Sequence, residues 1–133
     1  MSVRNVVSVI LAVFTAALVL TSCADNTVKD NEYMQITQEE AKNIMDTQTG
    51  YVILDVRTEE EFAEGHISGA ILIPDYEISK GAENELTDKD QLILVYCRSG
   101  RRSKNAASEL ASLGYTNVKE FGGIIDWQYE TEK

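Results

Sequence analysis

The residues best equipped for chemistry lie together in YCRSGRRS, Tyr96 to Ser103. A thiol, Cys97, is followed within five residues by Arg98, Arg101 and Arg102, with Ser99 and Gly100 between them. Thiolate is the nucleophilic form of cysteine, and nearby cations or a helix N-terminus stabilise it. Three arginines also suit an anionic ligand, because guanidinium groups make strong charge-assisted bonds. The crowding is selective: beyond Arg4, the only other arginine is Arg57. Arginine in the first turn of a helix opposes the dipole. Surface decoration therefore explains Arg101 and Arg102 poorly, and an anion-binding cup explains them better. The competing reading, a buried structural cysteine, is common for free thiols but gives the arginines no purpose.

The elements that must hold this segment follow from the hydrophobic pattern. YVILD (Tyr51 to Asp55), AILIP (Ala70 to Pro74) and LILVY (Leu92 to Tyr96) are continuous apolar runs. Such runs suit the middle of a parallel sheet covered on both faces. Strands are expected near 51–55, 70–73, 92–96 and, from NVKEF, 117–120, with YMQIT (Tyr33 to Thr37) as an edge strand. Thr37 with Glu40 and Thr58 with Glu61 have capping-box spacing, each opening a helix. Ala106, Ala107, Leu110 and Leu113 recur at helical spacing before Gly114. GGIIDWQYE reads as a glycine turn and then a short helix, while Gly81 weakens a helix within DYEISKGAENELTDKD. The alternation predicts an α/β domain with a mainly parallel central sheet, helices on both faces and right-handed crossovers. Ligands of such sheets sit beyond the carboxyl ends of the strands. Cys97 follows a central strand directly, so its loop curls round the N-terminus of the next helix, where backbone N–H groups bind anions. Gly100 permits backbone angles that a Cβ would forbid.

The full chain of 133 residues carries a net charge of −10. Its first 22 residues contain Arg4 and no acid, so the remainder is one unit more negative. A surface this acidic argues against nucleic acid and against a polybasic membrane contact. Val6 to Leu20 is apolar except for Ser8 and Thr15, and is followed by LTSC, Leu20 to Cys23. The run has the length of a signal h-region and falls short of the roughly 20 residues a spanning helix needs. LTSC resembles a bacterial lipobox. Residues 1–22 are thus expected to be a lipoprotein signal peptide, with Cys23 lipidated, 23–32 a tether and 33–133 the folded domain. The expected location is the cell envelope, anchored by lipid on the exported side of a bacterial membrane; a transmembrane anchor and an ordinary cleaved signal are the alternatives. With Cys23 consumed, Cys97 is a lone thiol in a compartment where cysteines usually pair. One histidine, His66, and two cysteines make no metal site.

DVR (Asp55 to Arg57), GHISGA (Gly65 to Ala70), IP (Ile73, Pro74), VYCRSGRRS (Val95 to Ser103) and GGIIDW (Gly122 to Trp127) occur in one order and at suitable spacing. Together they resemble a single-domain rhodanese over residues 33–130. The resemblance implies a rhodanese-like fold and a cofactor-free, monomeric sulfurtransferase. Cys97 would attack a small anionic sulfur donor such as thiosulfate, form a persulfide, and pass the sulfur to a thiol or cyanide. Substrate contacts would come from Arg98, Ser99, Gly100, Arg101 and Arg102, with Arg102 foremost and Arg101 turned outward. Asp55 and Arg57 would support the loops, His66 would fix a turn, and Trp127 would be core or pocket wall. A persulfide carrier or a redox-sensing module is the alternative. A cysteine phosphatase or arsenate reductase fits less well, because in that pattern an arginine follows the cysteine after five intervening residues. Here that position is Ser103, and Arg102 comes one residue too early.

Overall fold

The computed structural model describes residues 32–133, so the signal-like segment and Cys23 lie outside the described residues. Seven strands and four helices alternate along the chain: β1 Met34–Gln35, α1 Gln38–Thr47, β2 Val52–Asp55, α2 Glu59–Glu64, β3 His66–Ile67, β4 Ile71–Leu72, α3 Ile78–Glu85, β5 Ile93–Cys97, α4 Arg101–Ser112, β6 Val118–Gly123 and β7 Thr131–Glu132. Five strands form one parallel sheet in the order β1-β6-β5-β2-β4. β3 and β7 make a separate antiparallel pair.

The apolar runs at β2 and β5 occupy the centre of this sheet and divide their side chains by the two-residue period of a strand. Leu54, Ile93, Val95 and Cys97 face one cluster, closed by Ile78 and Ala82 of α3 and Ala106, Ala107 and Leu110 of α4. Ile53, Leu94 and Tyr96 face the other, closed by Ala41 and Ile44 of α1 with Ile67, Phe121 and Trp127. Helices therefore cover both faces. Both expected capping boxes are present, Thr37 with Glu40 and Thr58 with Glu61.

Three expectations are corrected. AILIP does not run through the middle of the sheet. Its strand β4 is two residues long and lies at an edge, with Ile71 exposed. The run is apolar because Ala70 and Ile73 leave the edge into opposite core clusters. Gly122 and Gly123 are not a turn before a helix: they extend β6, and only a 3-10 turn, Ile124–Asp126, follows. Gly81 does not break its segment, because α3 runs through it, anchored by the fully buried Ile78 and Ala82.

Candidate active site

Cys97 is the last residue of β5, and α4 begins four positions later. Gly100 makes the turn between them in the left-handed region, at φ 98°, where a Cβ is penalised. Unlike α1 and α2, α4 has no side chain capping its N-terminus. The first amides of a helix have no acceptor within it, so this end of α4 offers N–H groups and positive dipole to an anion beside the thiol.

The thiol is almost enclosed, with Cys97 only 1% exposed. The Gly100 amide donates to Sγ at 3.0 Å, and the Ser103 hydroxyl lies 3.3 Å from Sγ. Ser103 in turn donates to Oε1 of Glu120 at 2.6 Å, and the Gly122 amide donates to the same oxygen at 2.8 Å. The floor of the loop is backbone on backbone. The Ile125 amide donates to the Arg98 carbonyl at 3.2 Å, and Gly123 lies so close that an added Cβ would sit 2.0 Å from that carbonyl oxygen.

The arginines have different settings. Arg98 and Arg101 are exposed, as is Ser99, while Gly100 is buried. Arg102 is half-buried and forms a two-pronged pair with Glu61 of α2, at 2.8 and 2.9 Å. These bonds are the main reason the Glu61 carboxyl is held down at about 2; burial opposes the shift, and the Thr58 amide adds to it. The same bonds strengthen the hold of Arg102 on its proton. Arg102 therefore stands beside the thiol with its charge already shared.

Asp55 and Arg57 form a second buried network, on the other face of β5. Arg57 donates to both Asp55 oxygens through Nε at 3.0 Å each and through Nη2 at 2.7 Å. Its Nη2 also donates to the Gly65 carbonyl at 2.7 Å. The Tyr96 hydroxyl donates to Asp55 at 2.6 Å and accepts from the Ile67 amide at 3.0 Å. Burial works against the Arg57 charge, but Asp55 outweighs it and raises the affinity for the proton. Burial first, and Asp55 second, hold the Tyr96 proton far above the usual phenol range. The network ties the ends of β2 and β5 to the loop that carries β3. His66 belongs to that loop. Its ring stacks on Phe62 and its Nδ1 lies 3.0 Å from the Phe62 carbonyl, with Glu132 at 3.3 Å on the far side. Trp127 packs against Phe121 in the core cluster opposite Cys97.

Sequence reasoning missed Glu61 as the partner of Arg102, and it missed both Ser103 and Glu120. For Glu120 a signal was available. In VKEF, the period of a strand puts Glu120 on the same inward face as Val118, an unusual place for a carboxylate. Among the described residues no group of side chains is arranged to hold a metal ion, and no helix is long and apolar enough to cross a membrane.

A parallel α/β sheet with a nearly enclosed cysteine at the carboxyl end of its central strand, beneath an uncapped helix N-terminus, defines a cysteine-loop domain built for thiol chemistry on anions. The chain belongs to the rhodanese-like domain family, whose model matches residues 37–130. It is 38% identical over 73 residues to thiosulfate sulfurtransferase PspE of Escherichia coli, a stretch covering 55% of this chain and 70% of that protein. It is 38% identical over 91 residues to the chloroplastic thiosulfate sulfurtransferase 16 of Arabidopsis thaliana, covering 59% of this chain and 74% of that one. A structure described as a rhodanese with anions from E. coli superposes with a TM-score of 0.59 at 35% identity, covering 62% of this chain and 98% of the other.

Proposed function

We propose that this protein is a rhodanese-type sulfurtransferase that moves sulfane sulfur from a small anionic donor such as thiosulfate to a thiol or cyanide, by way of a Cys97 persulfide. The observation that carries the reading is the position of Sγ: 1% exposure for its residue and a 3.0 Å bond from the Gly100 amide, at the uncapped start of α4. The names of the relatives and the anions in the neighbouring structure support the same reading.

In the proposed step the Cys97 thiolate forms a bond to the outer sulfur of thiosulfate. The sulfur–sulfur bond of the donor breaks, and its electron pair leaves with sulfite. The negative charge of the thiolate reappears on the outer sulfur of the persulfide. A thiolate acceptor or cyanide then takes that sulfur and returns Cys97 as its anion. This is covalent catalysis by an activated nucleophile, with the amides at the start of α4 holding the developing anion. The enclosure of Cys97 favours a donor as small as thiosulfate. The deciding experiment is intact mass after exposure to thiosulfate. One added sulfur atom, removed by cyanide as thiocyanate, is expected. No added sulfur overturns the reading, and a stable added sulfur that no acceptor removes points to a carrier.

Arg102→Ala is expected to lower kcat/KM for thiosulfate by about 10- to 100-fold, the scale of one lost charge-assisted bond of roughly 1.5–3 kcal/mol. Glu61→Gln releases the guanidinium from its competing carboxylate and should lower KM for thiosulfate. Arg101→Ala should have the smallest effect. Steady-state thiocyanate production checks all three.

We further propose that residues 1–22 are removed as a lipoprotein signal and that Cys23 is lipidated, placing the domain in the cell envelope. The support is LTSC at the end of the apolar run. Cys23→Ala is expected to yield an unprocessed precursor or a soluble form, read by membrane fractionation and mass. Unchanged attachment and mass would favour a spanning segment instead.

A further inference from the structure

We propose that Glu120, acting through Ser103, is a positioning residue that keeps the proton on Cys97 while the site is empty and so favours the sulfur-loaded state over the free thiolate. The second half of this statement rests on the sulfurtransferase reading. The first half rests on geometry alone.

Ser103 is fully buried and Glu120 is 3% exposed. A serine hydroxyl has one hydrogen to give. At 2.6 Å from Oε1 of Glu120, that hydrogen is committed to the carboxylate, in the short range of a charge-assisted bond. Ser103 therefore presents lone pairs to Sγ at 3.3 Å. A thiol can donate its S–H to them. A thiolate faces lone pairs backed by a negative charge, and a like charge disfavours ionisation. Of the protein bonds to Sγ, only the one from the Gly100 amide favours the anion.

Sulfur loading changes this balance. Once Sγ is bonded to the sulfane atom it carries neither proton nor full charge. The charge sits one bond further out, away from Ser103 and Glu120. The carboxylate thus opposes the free thiolate more than the persulfide anion, and it leaves the resting thiol less open to alkylation and oxidation.

The other charged groups around the pair do not take this role. Arg102 on α4 is tied to Glu61 of α2, with Asp75 acting on it from the 3-10 turn before α3. Asp55 and Arg57 on β2 pair with each other beside Tyr96, whose side chain lies in the core cluster opposite Cys97. Lys119 on β6 acts on Glu40 of α1. His66 is held by Phe62 and Glu132. Glu120 is the carboxylate that a single bridging hydroxyl links to the sulfur.

The test is the rate of iodoacetamide alkylation of Cys97 across pH, a readout that needs no sulfur donor. In Glu120→Gln the amide donates to Ser103, and the serine hydrogen is released toward sulfur. Alkylation at neutral pH is expected to be about tenfold faster, and its rise with pH to be displaced toward acid. Ser103→Ala removes the acceptor of the S–H bond and should move the profile the same way by less. At fixed thiosulfate and sulfite, the loaded fraction of Glu120→Gln should fall. An unchanged or slower alkylation profile in a folded Glu120→Gln protein overturns the proposal. If that variant does not fold, Ser103→Ala decides by the same criterion. A protein that thiosulfate never loads, yet whose profile moves as described, upholds the proton-holding role and defeats the sulfurtransferase reading alone.

Discussion

Cys97→Ser is expected to abolish sulfur transfer, with no thiocyanate formed above background and no sulfur added by thiosulfate. The substitution is nearly isosteric, so the Gly100 and Ser103 contacts to position 97 survive, and the fold should lose little. The chemistry is lost for two separate reasons. An alkoxide is scarcely populated at neutral pH, whereas a cysteine thiolate is accessible. Oxygen, moreover, does not carry sulfane sulfur as a persulfide does. The expected pattern is therefore an unchanged circular dichroism spectrum and melting curve alongside zero turnover. Residual transfer in this variant would place the sulfur elsewhere. It would leave the enclosed thiol and the uncapped start of α4 without the purpose assigned to them.

The parts of this site that the sequence discloses are those made by neighbours in the chain. The apolar run of β5, the thiol after it, Gly100 and the start of α4 lie within a few residues of one another, and local physics fixes their relation. The two capping boxes are legible for the same reason. Glu61 and Arg102, however, meet across 41 positions, and Ser103 reaches Glu120 across 17. Neither pairing is written in the spacing of either segment; the crossovers of the sheet create both. The same holds for β4. Its apolar composition resembles that of a central strand, but its place at the edge is settled by the order β1-β6-β5-β2-β4. The short antiparallel pair of β3 and β7 is two residues long in each strand, below the length at which alternation carries a signal. Arg102 is the instructive case. Its unfavourable place in the first turn of α4 suggested an anion, and the structure shows a protein carboxylate meeting part of that need.

Gly123→Ala should do more damage than any other single added methyl in the described domain, for a reason its backbone angles do not reveal. At φ −131° and ψ 151°, Gly123 is ordinary extended chain that any residue adopts. Its requirement is for space. An added Cβ would lie 2.0 Å from the Arg98 oxygen, 2.4 Å from its carbonyl carbon and 2.6 Å from the Cα of Ser99. All three are backbone atoms of the loop that follows Cys97, so no side chain can swing aside to relieve the contact. The loop must lift off β6, breaking the bond from the Ile125 amide to Arg98 and disturbing the Gly100 bond to Sγ. Overpacking in a closed interior costs about 1–3 kcal/mol, occasionally more. A backbone collision inside a parallel sheet belongs at the upper end, so a loss of about 3 kcal/mol is expected, together with loss of sulfur loading in whatever folds. Gly81→Ala is the control. It sits within α3 with nothing inside 4 Å of the new methyl, and alanine there should gain roughly 0.5–1 kcal/mol. Urea denaturation of the two variants reads both signs, and thiosulfate loading measured by mass on the same samples separates damage to the loop from damage to the fold. A Gly123→Ala protein with native stability and full loading would mean that the loop does not rest on β6 as the structure places it.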